Sequence, residues 1–333
     1  MYEWLGICLA LAALLTLNAV ASLLASGLWR LLQSCAKLWP AKTQAHILFA
    51  LRVFPGLTAV VFVLALLLPA YLAHEPRQKA EEVSFKLGVL ALISAIGLLL
   101  AIWRGLAAWI VTRNLVNNWL SKSSPVNLPQ TSVPAYRLNH PFPVIAVVGV
   151  FKPKLFIADS LFDSLTAEEL SAAIEHECGH ISHRDNLKRA LLRICRDVLA
   201  IVPCGRWLDR EWAAAAEAAA DEFAARKGGG VALDLASALV KIARMVPAGL
   251  HPALPVSAFL IGENLSSIKF RVGRLAQQAG ASCGESPAQT PPIAVSLWLS
   301  FGIMLSAALF VATDASSLSA IHHLIEIAVS TLR

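Results

Sequence analysis

Apolar residues run through this chain in long uninterrupted blocks, with no helical or strand period. Four blocks carry no charge over useful lengths: Trp4 to Trp29, Val53 to Ala73, Leu87 to Trp103 continuing past Arg104 to Val111, and Pro292 to Thr313. A helix needs about 20 apolar residues to cross the hydrocarbon core, so the pattern predicts four spans, at about 4–29, 53–73, 87–111 and 292–313. Amphipathic patterning begins only between the third and fourth blocks, over 113–291, which is where a folded polar domain is expected. The residues after Asp314 form a short extracytoplasmic tail, expected to lie as a helix on the membrane interface.

Within 113–291 the pattern changes several times. "SKSSPVNLPQTSVP" (121–134) reads as a linker. "PVIAVVGV" and "KLFIAD" read as strands joined by a turn at "FKP". Thr166 and Glu169 have the spacing of a capping box opening a helix through "AEELSAAIEHECGHISH". Leu170, Ala173, Ile174 and Cys178 would form its inward face. An alanine-rich helix over 209–227 ends at "GGG", a further helix follows near 231–246, and an amphipathic helix is expected over 266–278. Residues 279–292 read as a linker into the fourth span.

Composition agrees with this division. The 333 residues are 57% hydrophobic and 15% charged, mean hydropathy is +0.63, and soluble domains carry nearer a quarter charged residues. The start, "MYEW", has no basic residue, and the first apolar block continues past "AVAS", so an anchor is expected and not a cleaved signal peptide. Arg30, Lys37, Lys42 and Arg52 crowd the first loop without an acid; the second loop balances Arg77, Lys79 and Lys86 against Glu75, Glu81 and Glu82. The lysine and arginine rule then places the N-terminus and tail outside and the first loop and polar domain inside, in a bacterial cytoplasmic membrane. A net charge of +6 without interleaved aromatics gives no case for direct nucleic-acid binding. The six cysteines form no CxxC pair, and no disulfide is expected.

The candidate chemistry lies in "HECGH". His176 and His180, i and i+4 on one helix face, can aim both rings at one ion, and Glu177 is turned aside from the ligand line. A catalytic zinc takes three protein ligands. "EAAAD" offers Glu217 with Asp221 one turn on. Glu211 and Glu222 are rivals, Glu211 nearly two turns earlier and Glu222 turned away. One zinc per chain held by His176, His180 and Glu217 is expected. Glu177 would then take the proton of an attacking water and pass it to the leaving amine. Asp221 and Asp185 compete to orient a ligand histidine. Arg271 and Arg274, in "FRVGRL", are candidates for an oxyanion or substrate contact; anchoring the fourth span is the alternative. Cys178 and His183 are not expected as ligands.

The segment "AVVGVFKPKLFIADSLFDSLTAEELSAAIEHECGHISHRDN" resembles the core of the BlaR/MecR-type membrane metallopeptidases. It carries Gly149 with Pro153, Ser164-Leu165 with Glu168 to Leu170, the His176–His180 motif, Arg184-Asp185, and Glu217 with Asp221; Pro203 and Trp207 match a proline–tryptophan corner. The resemblance implies a mainly α protein: four transmembrane helices around an inner α+β, zincin-like (gluzincin) metallopeptidase domain with a small sheet or hairpin. It also implies zinc-dependent cleavage of a protein or peptide substrate, such as a cytoplasmic repressor in a signalling pathway. About twenty residues follow the fourth block where the family's sensors carry a penicillin-binding domain, so a sensor-less member is expected. Ste-type CAAX and HtpX-type proteases, which act on membrane or prenylated proteins, share the H-E-x-x-H and E-x-x-x-D pattern and are the nearest alternative. A non-catalytic signalling scaffold is the remaining one. Membrane lipid is an expected partner, and an oligomer is compatible with the sequence.

Overall fold

The computed structural model describes residues 2–75, 83–198, 204–246, 265–280 and 293–332. Among the described residues, three helices of 34 to 37 residues are long and apolar enough to cross a membrane. These are α1 (Tyr2–Ala36), α2 (Ala41–Phe62) continued into α3 (Leu68–His74), and α4 (Phe85–Ser121). Their flanks leave Leu24, Leu31, Leu64, Leu99 and Trp103 exposed; in water such surface would be costly, whereas against lipid it is the expected face. A π-helical turn, Val63–Leu67, joins α2 to α3. Pro69 lies in the first turn of α3. A proline there removes a helical N–H and crowds the carbonyl four residues back, and a widened turn relieves both.

The hydropathy blocks underestimate these helices. The second was expected from Val53 and the third to Val111, yet α2 begins at Ala41 and α4 runs to Ser121. Lys42, Arg52, Arg104 and Arg113 end an apolar run, but they do not end a helix. Hydropathy locates the portion that suits lipid, while backbone bonding carries the helix onward.

Residues read as a linker supply a strand. A four-stranded sheet has the order β1-β2-β4-β3, with β1 Ser123–Val126, β2 Ala135–Leu138, β3 Ile145–Val148 and β4 Lys154–Ala158. The expected hairpin is present, with β3 antiparallel to β4 and Val147 opposite Leu155. β2 lies parallel to β4, and β1 antiparallel to β2. Pro125 fits β1 because an edge strand need not donate on its outer side. β4 is covered on both edges, and Leu155 to Ala158 are almost fully buried, which explains its unbroken apolar run. Gly149 follows β3 at φ 110°, and a Cβ there would lie 2.8 Å from the Lys152 carbonyl oxygen. Only glycine closes that turn without strain.

Helices α5 (Asp159–Ser164), α6 (Ala167–His183), α7 (Asp185–Val198), α8 (Cys204–Ala225), α9 (Gly229–Met245) and α10 (Leu265–Gly280) follow. Ile174 of α6 and Leu235 and Leu239 of α9 join Leu138, Ile145, Leu155 and Ile157 in the core beside the sheet. Leu170 and Cys178, expected on the inward face of α6, are half-buried, while the helix is covered on most of its circumference. α8 lies along α2 and is flanked by α6 on another side, so Ala216 and Trp212 share a cluster with Ile47, Leu48 and Leu51. The membrane helices and α8 therefore share one packed cluster, separate from the core beside the sheet.

At the C-terminus α11 (Ile293–Val311) meets α12 (Ala315–Leu332). Counted as one bent pair at 99°, they make a fourth candidate span. The tail is helical as expected; Ile325 and Val329 pack with Leu5, Leu9, Tyr71 and Leu87. The balanced charges at Arg77, Lys79, Glu81 and Glu82, the proline Pro203, Cys283 and most of the 279–292 linker lie outside the described residues.

Candidate metal centre

α6 starts where its sequence says it should. Thr166 Oγ1 accepts from the Glu169 N–H (3.2 Å), and the Thr166 N–H donates to Glu169 Oε2 (2.9 Å). Glu169 also accepts from Ser237 and Lys241, which ties the cap to α9. The helix ends at Arg184, a non-glycine residue at φ 53°. That left-handed step turns the chain back at once, and it delivers Asp185 Oδ2 to within 2.8 Å of His180 Nδ1.

α8 is brought close by small residues. A Cβ on Gly179 would stand 3.0 Å from Ala220 Cα, so α6 and α8 are nearly in backbone contact. This spacing sets Glu217 Oε2 3.5 Å from His176 Nε2 and Glu217 Oε1 3.5 Å from His180 Nε2. Asp221, one turn later, places Oδ1 2.9 Å from His176 Nδ1. Asp221 and Asp185 thus do not compete: each approaches the far nitrogen of a different histidine. The two imidazoles stand edge to face at 88°, their centroids 4.8 Å apart.

Among the described residues, His176, His180 and Glu217 form the one group of three or more such side chains able to hold a metal, with one atom from each inside a 4.8 Å circle. Metal–ligand bonds of about 2.0–2.2 Å in a tetrahedron put neighbouring ligand atoms about 3.4 Å apart, close to the two 3.5 Å carboxylate–imidazole distances here. His176 Nε2, His180 Nε2, Glu217 Oε2 and both Glu177 oxygens are buried without a hydrogen-bond partner. Buried polar atoms are rarely left so, and five in one place, with two neutral-capable imidazoles and a carboxylate, fit a divalent ion such as zinc. Glu211 and Glu222 are outside the group. Glu222 instead accepts from Arg274 and from the Ala41 N–H that opens α2.

The electrostatics follow from this crowding. Burial opposes ionisation of Glu217, but His180, His176 and Arg271 overcome it and hold the carboxyl well below its usual range. Burial lowers His180's proton affinity, yet Glu217 and Asp185 push its pKa up to about 10. For Glu177 burial raises the pKa, and the histidines beside it only partly offset that. A carboxyl made more basic in this way is suited to take a proton.

Arg271 and Arg274 are candidates from the sequence for an oxyanion or substrate contact or for anchoring the fourth span; the structure gives both of them carboxylate partners. Arg271 donates through Nε and Nη2 to Asp221 (2.9 and 2.7 Å), with Nη1 3.3 Å from Glu217 Oε2. Sequence reasoning missed Arg189, whose Nη2 donates to Glu217 Oε1 at 3.0 Å while the guanidinium sits over the Trp212 ring. It belongs to α7, a helix not anticipated; the strongly two-faced pattern of "DNLKRALLRICRDV" was the available signal. Cys178 donates to the Gln130 carbonyl (3.5 Å) and its thiol is pushed up to about 11, chiefly by burial. His183 packs edge-on to Phe223. Neither joins the cluster.

Two histidines one turn apart, a carboxylate from a second helix and a buried glutamate beside them make a donor set that could hold a metal ion, next to helices long and apolar enough to cross a membrane. A family model described as Peptidase family M48 matches residues 144–205, the stretch from β3 through the H-E-x-x-H helix and α7 to the start of α8. No curated protein gives a significant match to the chain. The match and the long apolar helices together support a membrane-associated metallopeptidase.

Proposed function

We propose that this protein is an integral-membrane zinc endopeptidase that cuts a cytoplasmic regulatory protein, such as a transcriptional repressor. The observation that carries the reading is Glu177. It is fully buried beside the three candidate ligands, and among the described residues both its oxygens lack a hydrogen-bond partner. A bound zinc ion would polarise the scissile carbonyl and acidify the attacking water. Glu177 takes that water's proton and hands it to the departing amine. Asp221 and Asp185 hold the imidazoles in orientation, and Arg189 and Arg271 hold Glu217.

Strand addition offers a way to bind an extended peptide. β4 is enclosed between β2 and β3, so the open edge of the hairpin is β3. Asn186 Nδ2 donates to the carbonyls of Val147 and Gly149, and Val144 to Val148 are at most 2% exposed, so a substrate strand could add here only once that cover moves. The lysine and arginine distribution supports a cytoplasmic position for this site, in a bacterial inner membrane on this reading. The BlaR/MecR resemblance favours a soluble regulator as substrate. The packing of α2 against α8 favours a second reading, a protease of membrane or prenylated proteins as in the HtpX-type and CAAX-type enzymes, since the centre lies beside a span.

Comparing protein termini in cells carrying wild type or Glu177→Gln tests the proposal. New termini on a cytoplasmic regulator, present only with wild type, are expected. Termini confined to membrane proteins would favour the second reading, and identical termini would favour a scaffold.

A further inference from the structure

Arg52 sits in the middle of α2, just before the part suited to lipid, and it is 4% exposed. A cation placed there is costly unless paired. Its partner is Asp209, whose Oδ1 lies 3.1 Å from Arg52 Nε. Gly205 makes room for the guanidinium: a Cβ there would meet Arg52 Nη2 at 2.8 Å. Both Gly205 and Asp209 belong to the first part of α8, the helix that bears Glu217.

A second contact joins the same two helices at their other ends. The Ala41 N–H, a free donor of α2's first turn, reaches Glu222 Oε2 at 3.2 Å. From Ala41 to Arg52 is about 16 Å of helix, and from Asp209 to Glu222 about 20 Å. The pairs 41 with 222 and 52 with 209 therefore describe two helices running antiparallel and pinned at both ends. Between the pins the surfaces are small or apolar: Ala45, Leu48 and Leu51 on one side, Ala215, Ala216 and Trp212 on the other. Glu217 lies between the pins.

We infer that Arg52, through Asp209, is a positioning residue for the metal centre: α2 splints α8 so that Glu217 stands at the correct height opposite His176 and His180. The membrane helix is then part of the peptidase scaffold and not only its anchor. This rests on the peptidase reading for its meaning, but its geometry does not.

The test uses full-length protein in nanodiscs. Arg52→Leu should weaken zinc binding by up to about tenfold, the lower end of the range for losing a group bonded directly to a metal ligand, because Arg52 acts one step further out; competition with a chelator measures it. Arg52→Lys, which keeps the charge, should recover most of it. In metal-free protein, hydrogen exchange of α8 should rise in Arg52→Leu while β3 and β4 stay protected. If Arg52→Leu does not fold, Asp209→Asn should give the same local pattern with a smaller loss. Wild-type zinc affinity and wild-type exchange in these variants would overturn the inference, as would a rise in exchange spread evenly over α8 and the sheet. Wild-type protein that takes up no zinc would remove the peptidase reading, and the exchange comparison would still decide this one.

Discussion

Replacing Gly179 by alanine separates two effects that usually travel together. Gly179 lies within the H-E-x-x-H turn, on the face of α6 that meets α8. Helix propensity alone favours alanine by about 1 kcal/mol. Against that, the new methyl carbon would stand 3.0 Å from Ala220 Cα, 3.2 Å from Phe223 Cβ and 3.3 Å from Ala220 Cβ. The first of these is backbone and cannot rotate away. α8 cannot simply retreat either, because Ala216 and Ala219 on it are buried, and Ala216 clusters with α2 residues. Overpacking of this kind costs about 1–3 kcal/mol, so Gly179→Ala should be neutral or destabilising by up to about 2 kcal/mol. Zinc affinity should fall even where stability is unchanged, because the displaced helix carries Glu217 away from both imidazoles. A loss of about tenfold in zinc affinity is about 1.4 kcal/mol. Chelator competition measures it, with thermal melting of the metal-free protein alongside. A variant that melts higher than wild type and binds zinc equally well would show that the helices part freely, and would refute the close-contact argument.

Two further substitutions probe the surroundings of the centre. Asp185→Asn keeps the shape beside His180 but removes the carboxylate, and zinc affinity should fall about 10- to 100-fold; unchanged affinity by chelator competition would deny Asp185 its orienting role. His183 is held down to about pKa 4, mainly by burial, with Lys188 and Lys42 adding to it and Asp185 opposing. A histidine lowered on folding contributes stability that is present above about pH 6.5 and is lost as pH falls towards 4, so the melting temperature of wild type should drop across that window and that of His183→Gln should drop less. Parallel melting curves for the two proteins would exclude His183 as the cause.

The parts of this site that were legible in the sequence are those fixed by local spacing. Four-residue periodicity puts His176 and His180 together, and the Thr166–Glu169 cap is a three-residue relation, so neither needs knowledge of the fold. Glu217 was reachable because an alanine run leaves few long side chains. β1 and β2 were not legible. "SSPV" has turn composition, and its pairing is decided by strands that come later in the chain. The start of α2 was hidden by Lys42 and Arg52, because hydropathy treats a buried, paired arginine as an end of the span. Arg189 and Arg271 could not be assigned for a related reason: a guanidinium reaches far, and only packing decides which carboxylate it meets. The assignment of Asp185 depended on a single left-handed residue, Arg184, which no pattern of residue types foretells.

X-ray absorption on purified, full-length Glu177→Gln protein loaded with zinc tests the central claim most directly. Since Glu177 is assigned no ligand role, one zinc per chain should bind, with two imidazole nitrogens and a carboxylate oxygen at about 2.0–2.2 Å, and Glu217→Ala should abolish that signal. Substoichiometric zinc, a sulfur neighbour near 2.3 Å, or an unchanged spectrum without the Glu217 carboxylate would contradict it.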